Sequence, residues 1–257
     1  MASLEALIFD VDGTLADTER DGHLVAFNRA FEDAGLDWNW SVETYGELLK
    51  VTGGKERIKY FLKRYLPDFQ PPTELDAFVA KLHAAKTQHY KDLMVQPGLP
   101  LRPGVLRLLQ EAREQGMRLA IATTTTPANV TALLSNSMAE DAESWFDVIA
   151  AGDIVPAKKP APDIYVWAMQ QMGLNPDQCL ALEDSDNGVK SVLDSGIRSL
   201  VVTVNGYTRN QDFPGATVVL GNLGEPNLPC EHITGSELLG DMVDLQGLKD
   251  LHDHVWQ

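Results

Sequence analysis

Asp10 and Asp12 alternate at the end of an apolar run. Leu4 to Phe9 read as a buried strand, and the two carboxylates follow at once, ahead of Gly13 and Thr14, in the stretch "ALIFDVDGTLADTE". Other short apolar runs also end in polar groups: Thr123 to Thr126 after "RLAIA", and Glu183 and Asp184 after "QCLAL". The loop "PAKKPAPD" after "FDVIAAGD" adds Lys158 and Lys159. Carboxylates, hydroxyls and an ammonium gathered in one crevice suit a divalent cation and a phosphoryl group together. Mg2+ takes hard oxygen ligands and keeps places for water and substrate oxygens. One carboxylate can attack phosphorus and a second acid can protonate the leaving alkoxide. Lysine and threonine can hold the phosphoryl oxygens as charge moves.

Singly, these groups have plainer readings. Paired aspartates at a strand end often serve only as turn formers. "EDSDNG" fails as a calcium loop, because setting Gly188 at the fixed glycine puts Glu183 and Ser185 where aspartates belong. "TGGKE" lacks the spacing of a GxxxxGK phosphate loop. The chemistry therefore depends on whether the fold brings the strand ends together.

The pattern along the chain says that it does. From about residue 98, short apolar runs alternate with amphipathic helical stretches, from "GVLRLLQEAREQGM" to a last strand at "ATVVLGN". That alternation predicts βαβ units and a parallel sheet covered on both faces, with its site beyond the carboxyl ends of the strands. Between the first strand and this region lies a purely helical block, "ERDGHLVAFNRAFEDAGL", "SVETYGELLKV", "GKERIKYFLKRYL" and "PTELDAFVAKLHAAKTQHYKDLM". The expected organisation is an α/β core of residues 1–17 and 98–257 with an inserted α-helical cap domain at 18–97.

Composition narrows the partners. The 257 residues are 44% hydrophobic and 23% charged, as in an ordinary soluble globular protein. A net charge of −16 argues against nucleic acid and anionic membrane, which need a broad basic surface. No run approaches the ~20 apolar residues that cross a bilayer. A strand beginning at Leu4 leaves no room for a targeting peptide, so a cytoplasmic location is expected. Cys179 and Cys230 form no CxxC pair and read as unpaired thiols. The six histidines form no HExxH pattern, and the pair in "HDHVW" reads as a solvated helix end rather than a metal grip.

One basic segment stands out: Lys50, Lys55, Arg57, Lys59, Lys63 and Arg64 are six of the 21 basic residues. Lys59, Lys63 and Arg64 read as a solvated helix face. In "TGGKER", by contrast, Gly53 and Gly54 expose backbone N–H groups at a helix start, and Lys55 and Arg57 add charge, which makes an anion clamp.

The motifs "FDVDGTL", "ATTT", "KKPAPD" and "ALEDSDNG", in that order over roughly residues 4–204, resemble those of the haloacid-dehalogenase superfamily of phosphatases. The resemblance implies a Rossmannoid parallel-sheet core with a helical cap, Asp10 as nucleophile and Asp12 as general acid/base. It also implies Thr123 and Lys159 as phosphoryl holders and Mg2+ as cofactor. Asp10, Asp184 and the Asp12 backbone carbonyl would ligate the metal, with Glu183 supporting through water. The family's lysine directly precedes proline, which selects Lys159 over Lys158. Asp10 is then expected to be ionised for attack, and Asp12 to be held protonated by its neighbours' charge.

"DTERDGHLVAFN", "VTGGKERI" and "ATTTTPANV" further resemble the CbbY-type subgroup, whose member of known activity hydrolyses xylulose 1,5-bisphosphate. That implies Glu19 and His23 near the sugar, Thr124 beside Thr123 on the substrate, and Gly53, Gly54, Lys55 and Arg57 near a second phosphate. The expected enzyme is a monomeric Mg2+-dependent phosphatase of a small anionic sugar phosphate. Its nearest rival is a mutase of the β-phosphoglucomutase type, which tends to carry an apolar residue where this chain has Thr14. Dehalogenases and phosphonate-cleaving members lack an aspartate at the Asp12 position. A phospho-acceptor module that holds its acyl phosphate is a third reading, against which the cap and Asp12 argue.

Overall fold

Successive side chains of a strand face opposite sides, so a strand covered on both faces must be apolar throughout. The computed structural model, which describes residues 3–95 and 98–257, follows this rule. Its strands are β1 (Ala6–Phe9), β2 (Arg118–Thr123), β3 (Val148–Ala151), β4 (Cys179–Glu183), β5 (Ser199–Thr203), β6 (Val218–Leu220) and β7 (His232–Gly235). Every residue of β1, β4 and β5 is buried. They form one sheet in the order β3-β2-β1-β4-β5-β6-β7. All neighbours pair in parallel except β6 and β7. Phe9 stands level with Ile121 on one side and Leu182 on the other, so the carboxyl ends of the three central strands finish together.

Four helices make up the block after β1: α1 (Val25–Asp33), α2 (Val42–Leu48), α3 (Gly54–Tyr65) and α4 (Leu75–Val95). A π-helical turn, Glu19–Leu24, leads into α1. Then come α5 (Val105–Glu114), α6 (Pro127–Ser137), α7 (Asp163–Met172), α8 (Asp186–Asp194) and α9 (Leu245–Val255). Leu7, Phe9, Leu180 and Leu182 face α5, α6 and α9, whereas Ala6, Ile8, Cys179 and Ala181 face α7 and α8. The helical block has its own core, in which Phe27, Phe31, Trp38, Trp40 and Phe61 meet in tilted and edge-to-face contacts. Burying each such ring contributes about 1.5–3 kcal/mol, enough to hold the block together as a body. The expected return to the α/β region at 97–98 falls on Gln96 and Pro97, which lie outside the described residues.

Two expectations for the C-terminal region need correction. "ATVVLGN" is not the last strand: β7 adds an antiparallel edge, and all four of its residues are exposed, so no alternation marked it. The tail is not simply solvated either. Leu245, Leu248, Leu251 and His252 of α9 are buried, and His252 is paired through Nδ1 with Ser199 Oγ (2.8 Å) and through Nε2 with the Asp177 carbonyl (3.0 Å). No described helix is long and apolar enough to cross a membrane.

Candidate active site

Asp10 is the first residue past β1, and its N–H still donates to the Leu182 carbonyl (3.0 Å), so the sheet fixes its position. Lys159 Nζ donates to Asp10 Oδ1 at 2.7 Å and to Glu183 Oε1 at 2.5 Å. The Tyr165 hydroxyl donates to the same Glu183 oxygen at 2.6 Å, and Asn205 Nδ2 donates to Asp184 Oδ2 at 2.7 Å. Two glycines make room. A Cβ at Gly188 would fall 1.8 Å from Glu183 Oε2, and one at Gly13, where φ is +90°, would fall 2.2 Å from Asp184 Oδ2.

Carboxylate oxygens of Asp10, Glu183 and Asp184, all buried, lie within 4.8 Å of one another. Burial pushes the Asp10 carboxyl up to about 7, with Lys159 opposing and Glu183 adding to the rise. Burial also pushes Asp184 well above the usual carboxylate range, and the neighbouring charges of Asp10 and Glu183 add to it. Lys159 behaves oppositely: burial disfavours its charge, but Asp10 and Glu183 outweigh that and raise it. Crowded, dehydrated carboxylates whose repulsion one lysine only partly offsets are a donor set that fits a hard divalent cation.

Asp12 lies in a different field. Its Oδ1 accepts from the Thr18 hydroxyl (2.5 Å) and pairs with His23 Nε2 (2.8 Å), while His23 Nδ1 meets Lys86 Nζ at 2.7 Å. His23 stacks on Tyr90 with ring centroids 4.4 Å apart, which fixes the imidazole. Burial opposes ionisation of Asp12, but His23, Thr18 and Lys86 outweigh it and hold the carboxyl well below the usual range. The protein's own groups thus raise Asp10 and lower Asp12 from the ordinary carboxylate range. The lowering of Asp12 comes foremost from His23, with Thr18 and the Lys86 ammonium of α4 adding to it.

Thr123 ends β2 and is buried, its Oγ1 accepting from the Thr125 N–H (3.2 Å). Thr123 and Thr124 line a cavity of about 280 Å3 with Asp10, Asp12, Lys159 and Asp184, and Glu19 and Arg57 of the helical block close it. Arg57, also buried, donates to the Tyr45 hydroxyl (2.6 Å) and pairs with Glu19 (3.5 Å), and Tyr45 in turn donates to Glu19. Gly53 caps α3 at φ +93° and Gly54 begins it, beside a narrower cleft that Lys55, His83 and Lys158 also line.

Lys55 and Arg57, the residues of the expected clamp, line this same cleft with Gly53 and Gly54, each with further partners. Arg57 braces Tyr45 and Glu19, while Lys55 reaches across to Asp153 after β3 (2.5 Å). Lys158 pairs with the same Asp153 (3.0 Å) and with Glu56 (3.1 Å). Thr52 Oγ1 donates to the Lys159 carbonyl at 2.5 Å, a further tie between block and sheet.

Sequence reasoning missed Tyr165, Lys86, Tyr45, Asn205 and Asp153. The first three sit in amphipathic helices where a buried tyrosine or a lysine looks like any other core or surface position. Only Asp153, in the loop of Lys158 and Lys159, had a neighbour to draw attention to it. Arg102 was missed as well. It is buried and donates to the carbonyls of Thr203 (3.0 Å), Val204 (2.5 Å) and Gly221 (2.8 Å), which holds the end of β5 beside the site.

Comparison with known proteins agrees with this geometry. A family profile of haloacid dehalogenase-like hydrolases matches residues 4–196. The plasmid CbbY protein of Cupriavidus necator is 45% identical over 250 residues, which cover 97% of either chain. CbbY of Rhodobacter capsulatus is 50% identical over 213 residues, covering 83% of this chain and 91% of that one. Among solved structures, a variant of CbbY from Rhodobacter sphaeroides in complex with xylulose-(1,5)bisphosphate aligns at a TM-score of 0.79 and 45% identity, over 85% of this chain and 94% of that one. With two thirds and more of its length matched by both kinds of comparison, the chain belongs to the haloacid dehalogenase-like hydrolases and is CbbY-like among them.

Proposed function

We propose that this hydrolase is a Mg2+-dependent phosphatase of small sugar phosphates, working through an aspartyl-phosphate, with a bisphosphate of the xylulose 1,5-bisphosphate kind as substrate. The observation that carries the reading is the contact of Asp10 with Lys159 at 2.7 Å beside two further buried carboxylates. In the first half-reaction an Asp10 oxygen bonds to phosphorus as the bond to the sugar oxygen breaks, and Asp12 gives a proton to the departing oxygen. In the second, Asp12 takes a proton from the water that cleaves the acyl phosphate. Arrival of a phosphate dianion beside Asp12 adds negative charge and drives its carboxyl toward the protonated form the first step needs.

Lys159 and Thr123 hold the phosphoryl oxygens, and Thr124 lines the same cavity. Asp10, Asp184 and the Asp12 carbonyl are the residues we assign to Mg2+, with Glu183 behind them, and the ion's charge offsets repulsion between these acids and the ester. Glu19 and His23 face the sugar. Gly53, Gly54, Lys55 and Arg57, which line one cleft, serve the second phosphate. Residues 18–97 act as a cap domain on a core of 1–17 and 98–257, and their closure excludes bulk water during transfer.

The test is phosphate release with Mg2+ across mono- and bisphosphates of pentoses and hexoses. Preferred turnover of ketopentose bisphosphates is expected. Equal turnover of hexose monophosphates would reject the substrate assignment. Isomerised sugar phosphate without released phosphate would identify a mutase instead.

A further inference from the structure

Tyr207, in the turn after β5, is where the sheet touches the aromatic core of the helical block. Among the described residues it is the one apolar side chain from outside residues 24–82 that packs on that core. Its ring meets Tyr45 edge to face at 6.0 Å, and a Cβ at Gly46 would come within 3.2 Å of it. The hydroxyl is buried without a hydrogen-bond partner among the described residues, so the ring and not its polar tip makes the contact.

The same turn reaches the other way, into the site. Tyr207 N–H donates to Asn205 Oδ1 (2.8 Å), and Asn205 Nδ2 donates to Asp184 Oδ2 (2.7 Å). The turn is closed on itself: Asn205 N–H donates to Thr208 Oγ1 (3.0 Å), and the N–H groups of Thr208 and Arg209 donate to the Asn205 carbonyl (3.2 and 3.0 Å). One carboxamide thus stands between the residue that seats the helical block and the oxygen of a carboxylate assigned to the metal.

We propose that Tyr207 is a positioning residue that couples docking of the helical block to the orientation of Asp184, so that metal binding and docking favour each other. The proposal rests on the reading that Asp184 ligates the divalent cation. With the ring seated, the turn holds Asn205 and Asn205 holds one rotamer of Asp184. With the ring unseated, that order has to be restored when the metal binds, at an entropic cost. Linkage makes the effect reciprocal: whatever docks the block tightens the metal, and the metal steadies the block.

The experiment is Mn2+ binding to metal-free protein, read from the electron paramagnetic resonance signal of the free ion, with no turnover involved. Tyr207→Ala should weaken binding roughly threefold or more. Tyr207→Phe should bind as the parent does, because the ring is kept. Gly46→Ala, on α2 at the rim of the same cavity, should also weaken it, because the new methyl presses on the ring from 3.2 Å. Asn205→Ala should weaken it too, and adding Tyr207→Ala should weaken it no further, since both act through one link.

A merely structural role for Tyr207 would lower its melting temperature and leave Mn2+ affinity at the parental value, which overturns the proposal. Multiplicative losses in the double variant overturn it as well. If Tyr207→Ala fails to fold, Gly46→Ala decides, since alanine favours the helix. Asp184→Asn is the separate check on the ligand assignment: parental Mn2+ affinity there rejects that assignment. Lost affinity there with an unmoved Tyr207→Ala rejects the coupling alone.

Discussion

Asp10 and Asp12 stand two positions apart and are held by separate networks, one from the sheet loops and one from the helical block. If Asp12 is the acid, Asp12→Ala should slow hydrolysis of a sugar phosphate by roughly 10²–10⁴-fold. Esters with good leaving groups should lose less in single-turnover phosphoryl transfer, and equal losses for aryl and sugar esters would show that Asp12 does not protonate the leaving oxygen. Lys86 supplies a second expectation. Burial pushes its ammonium down to about 8 although Asp12 and Glu19 oppose the shift, so it is charged below that pH and neutral above it. Lys86 lines the cleft that meets the anionic ester, so losing this charge should lower kcat/KM above about pH 8, with the limb displaced upward in Lys86→Arg. An alkaline limb that does not move in that variant would show that a group other than Lys86 sets it. Asp10, Asp12, Thr123, Lys159, Glu183 and Asp184 were legible because each directly follows or closes an apolar run or precedes a marked proline. The chain from Asp12 through His23 to Lys86 was not, because only the fold creates those contacts.

Helix starts carry much of the substrate side. The first turn of α3 presents Gly53, Gly54 and Lys55 to a cleft that Lys158 and His83 share, and Asp153 holds both lysines from the sheet side. Burial, with the charges of nearby lysines adding to it, pushes the His83 imidazole down to about 3, so it adds no charge there. Lys55 and Lys158 are then the ammonium groups best placed for a distal phosphate. Losing one charge-assisted contact costs about 1.5–3 kcal/mol, roughly tenfold or more in specificity. Lys55→Ala should therefore lower kcat/KM for a sugar bisphosphate by that factor and leave p-nitrophenyl phosphate nearly untouched. Proportional losses on both substrates would assign Lys55 to holding the block rather than to reading the substrate. Arg57 is a poorer probe, because Arg57→Ala also strands Tyr45 and Glu19. Periodicity made the helices α1 to α8 and the parallel strands readable. It said nothing of β7, a short exposed edge, or of the π-helical turn that sets His23 against Asp12, since neither leaves a repeating apolar signature.

A chain of net charge −16 that gathers three buried carboxylates at the centre of its sheet is stabilised against itself only locally. Lys159 offsets part of the repulsion, and Asn205 and Tyr165 supply neutral donors, but burial still disfavours the ionised forms of Asp10 and Asp184. Folding without a metal therefore carries an electrostatic cost that a bound cation removes. Mass action gives the size of the gain: about 2.7 kcal/mol at a metal concentration a hundred times Kd. For a chain of this length that is roughly 5–10 °C in Tm. Mg2+ should raise the Tm of the parent by that amount over protein in chelator. Asp184→Asn separates the two effects, since it removes one like charge and one ligand while keeping the side chain's shape. In chelator the variant should melt above the parent, because it removes an ionisable carboxyl from the crowded, buried cluster. With Mg2+ added it should gain little. The order of melting temperatures then crosses: the variant is the more stable protein without metal and the parent with it. A variant that melts below the parent in chelator would mean that the hydrogen bond from Asn205 outweighs the repulsion. An undiminished Mg2+ shift would mean that the cation is held elsewhere.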